Sequence, residues 1–203
     1  MTASEPNPSG CPGQPREIVA PSASERQSPR GRLAEPVVRT AGPEDVAAIC
    51  RFGDAHIRCH YAPLIGAEAA DAQVRRWWNH THIGAAVAGG LVVVAEDGGQ
   101  LVGVGQRGRS GADHVVYKLY VHPEHRGCGQ GLRLLEALIR QLPADADRLC
   151  IEHFVANERA GAFYEREGFT VERVEASATG DPRLGVVWRA RLLASPDKAP
   201  GQA

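Results

Sequence analysis

Lysine is almost missing from this chain. Two lysines stand against 21 arginines, a bias that reads as genomic composition rather than function. A charge surplus is missing too, since the formal net charge of −1 makes no case for a nucleic-acid partner or a membrane surface. No apolar run approaches the roughly 20 residues that a bilayer-spanning helix needs. The N-terminus lacks the basic-then-apolar layout of a secretory signal, so a cytoplasmic location is expected. The five cysteines (Cys11, Cys50, Cys59, Cys128 and Cys150) are odd in number and form no C-x-x-C pair. That argues against both a disulfide framework and a zinc site. Cys50 and Cys150 sit in apolar patterns and read as buried hydrophobes.

What remains is enough for one domain with a sizeable core in 203 residues. Residues 1–35 are rich in Pro, Ser, Gly, Ala, Glu and Arg and poor in large apolar side chains. Such a segment cannot bury enough surface to offset its ordering entropy, so it is expected to be disordered. The tail 194–203 reads the same way, which leaves 36–193 as the folded domain.

Within it, hydrophobic periodicity predicts a short strand at Val37–Arg39 and a helix started by Pro43 and the acids Glu44 and Asp45. A second helix is expected over Ala67–Trp78. The stretch His56–Gly66 between them reads as a connection, and His80 and His82 as part of an irregular segment. Leu91–Ala95, Leu101–Gly105 and Val115–Val121 follow as strands with no helix between them, and Asp97-Gly98-Gly99 is a hairpin signal. Gly103 and Gly105 leave one face of their strand bare, which suggests close packing or a bulge. Next comes an amphipathic helix with Leu132, Leu135, Leu138, Ile139 and Leu142 on its expected apolar face, stopped by Pro143. A strand at Leu149–Phe154, a helix from Asn157 to Glu167 capped by Gly168, and two closing strands complete the pattern. The fold class is therefore α/β with α+β character. It is a twisted, mostly antiparallel mixed sheet with one parallel β-α-β crossover, expected to be right-handed, flanked by about four helices.

Chemistry concentrates at Arg126-Gly127-Cys128-Gly129-Gln130-Gly131, a glycine-rich turn that opens a helix. Free backbone N–H groups at a helix start carry partial positive charge and bind anions, and glycine lets a pyrophosphate approach the main chain. A ligand-free β-to-α turn would look similar from the glycines alone. A P-loop requires G-x-x-x-x-G-K-S/T, and no Lys-Ser or Lys-Thr pair follows these glycines. A Rossmann turn requires G-x-G-x-x-G, but Leu132 or Leu134 occupies the third glycine position.

Two motifs in the right order give the turn a context. The pattern R/Q-x-x-G-x-G/A is met by Arg126, Gly129 and Gly131, after a strand reading L-x-V-x-P at Leu119, Val121 and Pro123. The pattern N-x-x-A/G-x-x-F/L-Y-x-x-x-G-F is met by Asn157, Ala160, Phe163, Tyr164, Gly168 and Phe169. In these features the chain resembles the GNAT superfamily of acyl-CoA-dependent N-acyltransferases over about residues 36–193, its first half by element order more than by residues. The resemblance implies a GNAT-like fold and an acyltransferase enzyme with acetyl-CoA as cosubstrate and a small-molecule or peptide amine as acceptor. It also admits a homodimer, because family members often pair through late strands.

Residue by residue, the resemblance implies a cofactor site made of Leu119, Tyr120, Val121, Arg126, Gly127, Cys128, Gly129, Gln130, Gly131, Leu132, Asn157 and Tyr164. Main-chain groups of Leu119 and Val121 would bond the pantetheine arm, the turn would hold the pyrophosphate, and Asn157 would hydrogen-bond the cofactor. Tyr164 is implied as the general acid that protonates the departing thiolate. Glu152 is a candidate base, with His122, His153 and Tyr120 also open, and alternation places Glu152 and His153 on opposite faces of their strand. His60, Tyr61 and Trp78 are candidates for the acceptor pocket. His56, His60, His80 and His82 lack accompanying acids, so no metal is expected. The competing reading is an acyl-CoA-binding sensor without turnover.

Overall fold

A computed structural model describes residues 35–193. The disorder expected for 1–35 and 194–203 concerns residues that, Glu35 apart, lie outside the described ones. β1 (Val37–Thr40) opens a seven-stranded sheet of order β1-β2-β3-β4-β5-β7-β6. β2 (Val92–Asp97), β3 (Gln100–Ser110) and β4 (Asp113–Val121) form the expected antiparallel meander. The hairpin between β2 and β3 turns on Gly98 and Gly99, both at positive φ, a conformation open to glycine at no steric cost. α5 (Gln130–Arg140) then carries the chain over to β5 (Arg148–Phe154), which lies parallel to β4. After α6 (Glu158–Arg166), the hairpin of β6 (Thr170–Glu175) and β7 (Val186–Leu192) inserts β7 between β5 and β6.

The helical first half differs from the sequence expectation. α1 (Val46–Phe52), a π turn (Gly53–Ile57) and α2 (Arg58–Ile65) run on without a break, so His56–Gly66 is helical and not a connection. Pro63 should have broken that helix, but it lies two residues before the end, where little of the hydrogen-bond ladder is left to lose. A Cβ on Gly53 would lie 2.7 Å from Cβ of Trp78, so only glycine lets the crossing tryptophan through. α3 (Ala67–Trp77) matches expectation, whereas α4 (His80–Ala88) occupies the segment expected to be irregular. Its start was legible in Asn79, whose side chain accepts the His82 N–H at 3.0 Å, and its apolar face in Ile83, Ala86 and Val87. The continuous α1–α2 rod with α3, α4, α5 and α6 makes five helices among the described residues, one more than the expected four or so.

Each face of the sheet carries its own core. On one, α1 to α4 pack Ile49, Ile57 and Ile83 against Val92, Val94 and Val104. On the other, α5 and α6 pack Leu134, Leu135, Leu138 and Tyr164 against Leu149, Ile151 and Phe169. The buried stripe of α5 is Leu134, Leu135, Ala137 and Leu138, rotated from the expected one, with Leu132 and Ile139 only half-buried. The rotation follows from the bare strand beneath. A Cβ on Gly103 would meet Leu134 at 2.9 Å, and one on Gly105 would meet Leu138 at 3.0 Å, so α5 seats its leucines in the gap these glycines leave. Close packing is thus the reason for both glycines. At the far edge, Arg39 makes two hydrogen bonds to Asp45 (2.6 and 2.9 Å) and one to Glu96 (2.8 Å), fastening the first helical turn to β1 and β2. No helix among the described residues is long and apolar enough to cross a membrane.

Candidate active site

The sheet opens in its middle. β4 and β5 pair in parallel at His114–Leu149, Val115–Cys150 and Val116–Ile151, and there the pairing stops, although the strands continue to Val121 and Phe154. On the other side of β4 the register with β3 shifts, so that Val116 faces Arg107 and Lys118 faces Gln106. Tyr117 is the extra, bulged residue, and a bulge bends the strand that carries it. β4 therefore leaves β5 where the bulge sits. Beyond it, Tyr120 pairs with Val104, and the His122 N–H bonds back to the Val102 carbonyl at 2.8 Å. By antiparallel alternation the main-chain groups of Leu119 and Val121 then point into the opened seam. The Val121 carbonyl accepts Arg126 Nε at 3.0 Å.

A cleft of about 1100 Å³ runs through this seam. At one end stands the glycine turn. Gly127 (φ 82°) and Gly129 (φ 79°) are both left-handed, and Gly129 is the residue from which α5 departs, with no side chain capping the helix start. The free N–H groups of that first turn are left for an anion. Arg126, Arg159 and Arg166 line the cleft, Cys128 is exposed, and Gln130 is buried with an unpartnered Oε1. Gly131 faces Phe163 of α6, where a Cβ would lie 3.4 Å from the ring. Leu132 lines the cleft from the first turn of α5.

α6 starts at Asn157, a buried cap whose side chain accepts the Ala160 N–H at 3.3 Å. Seven residues on, two turns along the helix, Tyr164 reaches the cleft. Burial holds its phenol well above the ordinary range, so it keeps its proton at neutral pH. His153 lies against it with ring centroids 5.9 Å apart. The His153 imidazole bridges the Phe154 carbonyl (2.9 Å) and Arg189 Nε (3.3 Å), and burial lowers its pKa.

The other wall belongs to the α1–α4 face. Glu152 and His153 do leave β5 on opposite faces, yet both line the cleft, because an opened seam is reached from both sides. Burial raises the pKa of Glu152, helped by Glu175 and opposed by Lys118 and Arg173. The Tyr61 and Tyr120 hydroxyls hydrogen-bond one another, and burial pushes Tyr61 up to about 12. His60 packs on both rings, and Trp78 meets Tyr120 edge-on at 5.3 Å. The three acceptor-pocket candidates His60, Tyr61 and Trp78 are thus brought together, and Trp78 is a core residue as well. His56 is not part of this group. It stacks on His122 at 4.5 Å and lines a separate hollow.

Sequence reasoning missed Lys118, Gln106, Arg159 and Arg166. For Lys118 a signal existed and was set aside with the compositional bias, since it is the one lysine among the described residues.

Comparison with known proteins gives this geometry its relatives. Residues 88–171 match the family model of the acetyltransferase (GNAT) domain. In fold, the chain is similar to the PaiA N-acetyltransferase of Thermoplasma acidophilum in complex with coenzyme A. The TM-score is 0.66 at 16% identity, covering 78% of this chain and 99% of that one. It is similar also to YncA of Salmonella typhimurium with its cofactor acetyl-CoA, with a TM-score of 0.57 at 24% identity, covering 83% and 99%. Sequence likeness is greater to the L-amino acid N-acyltransferase MnaT of Escherichia coli, 30% identical over 145 residues that make up 66% of this chain and 79% of that protein. At that identity and coverage, with the matching domain spanning both the opened seam and the glycine turn, the chain belongs to the GNAT superfamily of N-acyltransferases and is an acyltransferase enzyme.

Proposed function

We propose that residues 36–193 transfer an acetyl group from acetyl-CoA to a primary amine, and that the acceptor is a small α-amino acid. The observation that carries this reading is the unpaired edge of β4 beyond Val116, which leads straight to the left-handed glycines before α5. An extended pantetheine arm can lie along that edge as an added strand, bonded by Leu119 and Val121, with its pyrophosphate on the α5 N-terminus. Arg126, Arg159 and Arg166, which line the cleft, neutralise phosphate charge. On this reading the thioester lies near Tyr120, Asn157 and Tyr164, which all line the cleft.

The chemistry then follows from the two walls. Glu152 takes a proton from the acceptor ammonium, and desolvation of its carboxyl raises its proton affinity toward that task. The neutral amine attacks the thioester carbon, forming the C–N bond and an oxyanion that the Val121 N–H stabilises. Collapse breaks the C–S bond, Tyr164 donates its proton to the departing thiolate, and the nitrogen's second proton passes to the phenolate, which leaves a neutral amide, free thiol and a restored Tyr164. The amino-acid acceptor rests on the likeness to the E. coli L-amino acid N-acyltransferase and on the aromatic wall of Tyr61, Trp78 and Phe154, which suits an apolar side chain.

The test is thiol release from acetyl-CoA with a panel of amino acids, peptides and simple amines, with mass detection of the product. Acetylated amino acids with stoichiometric free CoA are expected. Tight acetyl-CoA binding with no thiol release for any amine would leave a sensor in place of an enzyme.

A further inference from the structure

We propose that Lys118 is the specificity-determining residue of the acceptor site, its ammonium pairing with the carboxylate of the incoming amino acid while Glu152 faces the amine. The proposal rests on the acyl-transfer reading above and adds the group that would choose among amines.

Lys118 is buried, with 7% of its surface exposed, yet it lines the cleft. Among the described residues its Nζ makes one hydrogen bond, to Gln106 Oε1 at 2.6 Å, and stands 5.5 Å from the centroid of the Trp78 ring. An ammonium carries three donors, and a buried charge short of partners is expensive. One amide oxygen and one aromatic face orient this ammonium without neutralising it. No carboxylate lies within 4.0 Å of it among the described residues, although Glu152 is near enough to bias its titration. Burial nevertheless lowers its pKa to about 8, so the proton is held less firmly than in water.

The placement is a consequence of the bulge. With Tyr117 as the extra residue, Lys118 is set directly opposite Gln106, which supplies its one hydrogen bond. Glu152 approaches from β5, the other strand of the opened seam. Opposite charges thus flank the cleft from its two strands without closing on each other. A small zwitterion fills that gap, its carboxylate taking the free donors of Lys118 and its ammonium presented to Glu152. Structural need alone does not explain a lysine here, because a chain that uses arginine 21 times has filled a position that needs only bulk with one of its two lysines.

The test compares L-phenylalanine with L-phenylalaninamide as acceptors for the full chain at saturating acetyl-CoA. The wild-type protein should favour the acid. In Lys118→Met the acid-to-amide ratio of kcat/KM should fall about 30-fold, the scale expected for a lost charge-assisted hydrogen bond, with the loss in the KM of the acid. Lys118→Arg should restore part of the ratio. If Lys118→Met slows acid and amide alike, the lysine serves the fold or the proton transfer, and the proposal is overturned. Calorimetric binding of the same two acceptors to the protein–CoA complex reads the proposal without turnover. Equal affinity for acid and amide there overturns it as well. Acid-selective binding that depends on Lys118, with no thiol release from acetyl-CoA, would sink the transfer reading and leave this one standing. Transfer without preference for the acid would sink this one alone.

Discussion

The two faces of the sheet bring different materials to the same cleft. On the α5–α6 face the main chain makes the site, with the bare edge of β4, two left-handed glycines and an uncapped helix start. On the α1–α4 face side chains make it, with a phenol pair, a tryptophan and two opposed charges held apart on the two strands of the seam. A backbone site is indifferent to most substitutions and intolerant of a few. A side-chain site can be retuned one residue at a time while the fold stays put. That division suits an enzyme whose common substrate sits on the first wall and whose distinguishing substrate sits on the second.

The sharpest way to break the comparison is Gly129→Val. Left-handed φ costs an L-residue about 1–2 kcal/mol, β-branching adds to it, and a Cβ stands where the pyrophosphate must come close. Acetyl-CoA affinity measured by calorimetry should fall at least about 100-fold, a loss of about 2.7 kcal/mol or more. Retained affinity would make the turn a structural joint.

Tyr164→Phe comes next. It removes one oxygen from a buried ring, so kcat should drop about 100-fold while acetyl-CoA affinity stays close to that of the wild type. Unchanged turnover would strip Tyr164 of the acid role.

Gly105→Ala probes the seat of α5 without touching the cleft. The added methyl meets Val93 at 2.9 Å and Leu138 at 3.0 Å, and overpacking of this kind costs about 1–3 kcal/mol in denaturant unfolding. A neutral result would mean that α5 is free to shift outward.

The smallest effect is a pH limb. The Lys118 ammonium is flanked by Gln106 and Trp78, which do not titrate, and by Glu152, whose charge favours its protonation. Its pKa is lowered to about 8, so the charged form prevails below that pH and is lost above it. kcat/KM for an acid acceptor should therefore fall as pH rises through about 8. For the amide, which does not need the ammonium, that falling limb should be missing.

Legibility divides along the same line. Gly129 and Asn157 stand out in the sequence because a left-handed turn and a helix cap admit few residue types, whereas Arg126, Gly131 and Tyr164 stand out only through the two motifs that carry the family resemblance. The meander and the crossover were readable from hydrophobic periodicity, while Gly103 and Gly105 left close packing and a bulge both open until the structure seated α5 on them. The acceptor wall was not. His56–Gly66 reads as a connection where a helix runs on to Ile65, and His80 and His82 hide a helix behind a run of polar residues. Lys118 stands out as one of two lysines, but a lone lysine in a strand does not tell whether it meets water or a tryptophan.

By itself, then, the sequence determined the order of the elements, the glycine turn and the α6 motif, since each depends on local conformational limits that a short run of residues satisfies alone. Only the tertiary structure decided where β4 and β5 part, which faces Glu152 and Lys118 present to the gap, and which aromatics close around them. Those outcomes depend on a one-residue bulge and on the crossing of Trp78 past Gly53, both contacts between residues far apart in the chain, and no local pattern encodes them.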